Sequence, residues 1–143
     1  MNYEDFVKKM RGMFDKSKDF YLKYWIIQLG LADWDIYVRD DCSLDDIKDE
    51  DAVAETIIEE VGKVAYITIL SKEEAEKIDE IYKEEYDYEY ILLHELLHIK
   101  FFFLYNPNFD NIETLEKRLT HQLIDDLAGT MVRARRDKDA RHI

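Results

Sequence analysis

The sequence predicts an α+β domain, a small sheet of about three strands packed on helices with one apolar helix at the centre. Three stretches carry that prediction. Residues 63–70 (Lys-Val-Ala-Tyr-Ile-Thr-Ile-Leu) have the β-branched and aromatic content of a strand. Residues 91–99 (Ile-Leu-Leu-His-Glu-Leu-Leu-His-Ile) are Leu or Ile except at His94, Glu95 and His98. A helix apolar on all sides is a buried helix. Residues 111–136 then repeat apolar side chains at helical spacing, through Ile112, Leu115, Leu119, Leu123, Leu127 and Met131.

Taken in order, residues 2–29 look helical. Phe6, Met10, Met13 and Phe14 share one face, as do Phe20, Tyr24 and Ile27. Gly12 and the polar 15–19 stretch divide this region, and Gly30 is placed to cap its second half. Trp34–Val38 alternates large apolar and polar residues and reads as a first strand. The acidic run 39–51 reads as a solvated loop, without the spacing or turn glycine of a calcium loop. Residues 52–59 read as a strand, forming a hairpin with 63–70 across Gly62. Ser71 with Glu74 is a capping box that starts a helix near residue 72. The stretch 79–90, rich in acids and tyrosines, leads into the apolar helix. That helix is expected to run through Phe103 and to stop at Asn106-Pro107.

A chain of 143 residues fits one domain, spanning 1–143, with the helical segment 1–19 and the charged tail 137–143 at its periphery. With 33 acidic and 20 basic residues the net charge is −13. That charge disfavours nonspecific binding to nucleic acid or anionic lipid and suits a basic protein partner. The one cysteine, Cys42, leaves no internal disulfide to form. No leader pattern and no membrane-spanning apolar run is evident, so the expectation is a cytoplasmic protein.

The chemistry concentrates at residues 94–98. His-Glu-x-x-His on a helix puts His94 and His98 one turn apart on one face, so two imidazoles can converge on one point. Neutral imidazoles suit zinc. Glu95 beside them can take a proton from a water at such a centre. The competing reading is a pair of core histidines bonded to backbone or carboxylate. It is disfavoured because the polar residues interrupt an otherwise apolar helix, where burying them unpaired is costly. A catalytic zinc takes three protein ligands. The last helix offers Glu113, Glu116 and His121 as the third. The pattern favours His121, because Asp125 lies one turn on and can accept the N–H of a ligand histidine. Ala128 and Gly129 would let the two helices approach closely.

These pieces together resemble the small metallopeptidases of bacteria and phages, a minimal zincin group related to the SprT-like and ImmA-like peptidases. The resemblance rests on Leu29-Gly30-Leu31-Ala32-Asp33-Trp34-Asp35-Ile36, on strand 63–70, on the His94–His98 motif, and on a last helix with a ligand followed four residues later by an acid. In that group the third ligand looks like Glu, followed by Asp or Asn; here His121 and Asp125 fall at those places. The resemblance implies a zinc cofactor and a peptide or protein substrate. It implies hydrolysis with Glu95 as general base, and strand 63–70 is a candidate edge for pairing with that substrate. Two other classes stay open. One is a non-catalytic zinc-containing interaction module, such as a phage regulatory or inhibitory protein. The other, weaker, is an acidic nucleic-acid mimic, since the acids spread along the whole chain.

Overall fold

The computed structural model describes residues 2, 3, 16–59, 61–102 and 115–141, with the backbone alone for 115–118. Among the described residues the order is α1 (Lys18–Gln28), β1 (Asp35–Cys42), a 3-10 turn (Leu44–Asp46), β2 (Ala54–Glu59), β3 (Val64–Leu70), α2 (Lys72–Ile78), α3 (Tyr82–Glu85), α4 (Tyr88–Lys100) and α5 (Leu115–Ala140). The fold is therefore α+β with a small three-stranded sheet. Three helices start on side-chain caps. Ser17, Ser71 and Asp87 accept the N–H of Phe20, Glu74 and Tyr90, three residues on, which satisfies donors the helix leaves orphaned. Gly30 follows α1 at φ +67°, a left-handed turn that ends the helix where the sequence placed its cap.

The strands lie in the order β1-β3-β2. β2 and β3 form the expected antiparallel hairpin, with Thr56 opposite Ile67. β1 pairs parallel to the other side of β3. Strand 63–70 is thus central rather than an edge, because both its sides are hydrogen-bonded; the edges are β1 and β2. β1 also runs past the expected Val38 into the acidic stretch, with an irregularity between Arg39 and Cys42. Tertiary partners hold those acids in place. The Tyr88 hydroxyl donates to Asp40 at 2.6 Å, and Lys18 reaches Asp41 at 3.3 Å.

One face of the sheet packs on helices through Ala65, Ile67 and Ile69, all buried. α4 lies at the centre of that packing and touches α1, α5, β2 and β3. Leu92, Leu93, Leu96 and Leu97 are buried. Each contributes roughly 1.5–3 kcal/mol relative to exposure, about what one poorly paired buried polar group costs, so α4 can carry His94 and Glu95 without leaving the core.

The packing faces of two other helices differ from the sequence reading. On α1 it is Tyr21 and Trp25 that are buried, while Ile27 is exposed. On α5 the buried seam is Ile124, Ala128, Val132 and Arg135, while Leu119 and Leu123 point to solvent. The small Ala128 and the paired Arg135 set the rotation of α5, and the leucine stripe follows. α5 also continues to Ala140 instead of fraying at 137, since Arg135 pairs with Asp139 one turn on. α4 ends at Lys100, short of Phe103, with the Phe101 N–H returning to the carbonyls of Leu97 and Ile99. The first half of the N-terminal region, the Asn106-Pro107 stop, the turn after it, Ile112, Glu113 and the Glu116 side chain lie outside the described residues. Among the described residues no helix is long and apolar enough to cross a membrane.

Candidate metal centre

α4 turns His94 and His98 to the same side, with ring centroids 4.9 Å apart. One potential ligand atom from each of His94, Glu95 and His98 lies within 4.8 Å of the others. α5 crosses beside them. The His121 ring, on an exposed stretch of α5, is 5.1 Å from the His98 ring. Asp125 reaches the other histidine, with its Oδ1 2.6 Å from His94 Nε2. His94, Glu95, His98, His121 and Asp125 therefore meet at one place, while the other two candidates, Glu113 and the Glu116 side chain, lie outside the described residues. Among the described residues His94, Glu95 and His98 form the tight donor group; His121 and Asp125 stand at its rim, one against each histidine.

β2 closes the other side. The Thr56 hydroxyl donates to Glu95 Oε2 at 2.5 Å, while Glu95 Oε1 lies 3.5 Å from His94 Nδ1. The sequence reading passed over Thr56. Its signal was there: Ala54, Thr56 and Ile58 alternate onto the helix-facing side of β2, and a hydroxyl on that side needs a partner. Between β2 and the histidines runs a groove of about 460 Å³, lined also by Ala54, Ile58 and Phe102. A larger cavity, about 670 Å³, lies at the other end of α4 among Lys18, Asp87, Glu89 and Arg136. Those charges are already paired with partners, and among the described residues no histidine lines that cavity. The smaller groove is the candidate site.

Electrostatics distinguish the three central groups. Burial alone would lower the His94 pKa, but the Glu95 hydrogen bond and charge, joined by the Asp125 carboxylate, raise it above the usual histidine value. Burial lowers His98, and the nearby His94 and His121 add to that against the pull of Glu95. Burial would raise Glu95, yet hydrogen bonds from His94 and Thr56 and the histidine charges hold it below the usual carboxylate range. At neutral pH Glu95 is therefore an ionised base and His98 a neutral imidazole.

This donor chemistry fits a metal ion. Two imidazoles and a carboxylate converge on a helix whose other residues are apolar, and imidazole with carboxylate is a donor set that suits zinc. Comparison with protein families, with curated proteins and with solved structures finds no match to this chain. What the fold and the site define is an α+β chain with a His-Glu-His group able to hold a metal, opening on a groove beside a sheet edge.

Proposed function

We propose that the chain is a zinc-dependent peptidase of the minimal zincin kind. The observation that carries this reading is the convergence of His94, Glu95 and His98 within 4.8 Å at the groove beside β2. His94 and His98 would hold the metal. His121 would complete the ligand set, and Asp125 would orient the His94 ring. Bound zinc supplies a Lewis acid at the scissile carbonyl. Glu95 removes a proton from the attacking water at Oε1, the oxygen that Thr56 leaves unheld. It then delivers that proton to the nitrogen of the departing amine as the carbon–nitrogen bond breaks. Thr56 keeps the carboxylate turned toward the histidines while this happens. An extended peptide or protein segment would lie along the open edge of β2, the strand that lines the groove. The free thiol of Cys42 suits a reducing, cytoplasmic setting.

A second reading, a zinc-holding interaction module without catalysis, draws on one contact: the His94 ring is tied at Nε2 by Asp125. The Glu95→Gln protein separates the two. Peptidase chemistry predicts retained zinc with hydrolysis of a casein or peptide-library substrate reduced at least about 100-fold, as for loss of a general base. A module predicts no hydrolysis in either protein.

A further inference from the structure

The sheet has a second face, and among the described residues it is left exposed at Tyr37, Ile57 and Tyr66. β1 pairs parallel and β2 antiparallel to β3, so the sheet is mixed. Helices cover the face bearing Ala65, Ile67 and Ile69; the opposite face carries three rows that cross all three strands in register. Tyr37, Tyr66 and Ile57 form the middle row, with Tyr66 facing both neighbours. They are 58%, 42% and 48% exposed. The two tyrosine rings stack with centroids 5.6 Å apart and planes 18° from parallel. On one side lies the row Asp35, Val64, Glu59, and on the other Arg39, Thr68, Glu55. Arg39 is drawn to Asp46 at 3.5 Å, and Lys63 at the sheet end pairs with Asp33. Among the described residues neither Asp35, Glu55 nor Glu59 has an ion pair. The face therefore presents a flat aromatic strip bordered by uncommitted carboxylates, with its own cations neutralised.

We infer that this open face is a docking surface for a cationic segment of another protein, one that presents arginine. A guanidinium plane stacks on a tyrosine ring and forks onto a neighbouring carboxylate, the two groups the strip sets side by side. The same carboxylates repel nucleic acid and anionic membrane. The inference does not depend on the peptidase reading: of these residues Glu55 also lines the histidine groove, whereas Asp35, Tyr37, Ile57, Glu59 and Tyr66 do not.

The test is an amide chemical-shift titration of the full chain with the synthetic peptide (Arg-Leu)4 and its counterpart (Glu-Leu)4. The expected result is shifts clustered on Asp35, Tyr37, Ile57, Glu59 and Tyr66 with the arginine peptide alone, fading as salt is raised. The Tyr37→Ser/Tyr66→Ser double variant should bind about tenfold more weakly, the loss of two exposed cation–ring contacts. Glu59→Lys should also weaken binding, while Leu119→Ser on α5 should not. Equal binding by the glutamate peptide, shifts centred elsewhere, or undiminished binding by the double variant would overturn the proposal. So would dilution-dependent shifts at these residues without peptide, which would make the occupant a second copy of the chain.

Discussion

At the first turn of α4, Glu89 is 1% exposed and accepts hydrogen bonds from Trp25, Arg135 and Arg136. Arg135, 4% exposed, also reaches Asp139 and lies over the Tyr21 ring. Six residues along the same helix, Glu95 is buried too, but its neighbours His94 and His98 are partly exposed and face a groove. Both clusters join α4 to α5, and both bury a glutamate. They differ in how completely the polar atoms are paired. Around Glu89 both carboxylate oxygens are taken, and the arginine forks onto them. Such a cluster can only be broken, so it fixes how three helices meet. Around Glu95 one oxygen is held by Thr56 and the other has a single long contact. The histidines there have a carboxylate or another ring beside them and space in front. A polar group left with capacity in a groove is where chemistry is possible.

The largest expected effect falls on the paired end. Arg135→Ala strands a buried carboxylate and should destabilise the fold by about 3–5 kcal/mol, read by urea unfolding. Replacing Glu89 and Arg135 together by apolar residues of similar volume should recover much of that loss. If Glu95→Gln proved as destabilising as Arg135→Ala, the contrast between the two ends would fail.

At the open end the effects should appear in zinc affinity and not in stability. His121→Ala should weaken zinc by more than about 100-fold, beyond the roughly 10- to 100-fold expected for Asp125→Asn, which acts through His94. Glu113→Ala and Glu116→Ala should hold zinc normally. Competition with a chromophoric chelator ranks all four. Parental affinity in His121→Ala, with a loss in either glutamate variant, would move the third ligand to a carboxylate.

The smallest effect is in protons. His94 titrates above its ordinary 6.5, so its contribution to the metal-free fold is complete below that value and is lost as pH rises through the higher folded pKa. Glu95 titrates below its ordinary 4.5, so its contribution is complete above that value and is lost as pH falls through the lower folded pKa. The pairing therefore supports the metal-free protein most between about 4.5 and 6.5. A metal needs His94 neutral, so zinc uptake should release a proton, and more of it at pH 6 than at pH 8. Calorimetry in buffers of different ionisation enthalpy counts that proton. Uptake without release at pH 6 would place the metal away from His94.

The sequence disclosed the features that are local. His94, Glu95 and His98 share one turn-and-a-bit of helix, Ser71 and Gly30 are caps, and the hairpin 54–59/64–70 joins neighbouring strands. What stayed hidden depends on which surfaces meet. Nothing in 35–42 says that β1 will pair parallel to β3 and push it to the centre. Counting apolar residues on α5 finds the leucines, but the helix is rotated by Ala128 and by Arg135 seeking Glu89, 46 residues away. One sign of that pair was legible in retrospect. Glu89 falls at helical spacing from Leu92, Leu93 and Leu96, so an acid was being carried on a buried face. Thr56 was the same kind of sign on a strand.

The proposed zinc site at the open end of α4 rests on His94 and His98. Elemental analysis of the purified parent, His94→Ala and His98→Ala proteins, each shown folded by circular dichroism, tests it most directly. The expected result is about one zinc per parent chain, as for a single His-based site, and little or none in either variant. Zinc undiminished in both variants would contradict it.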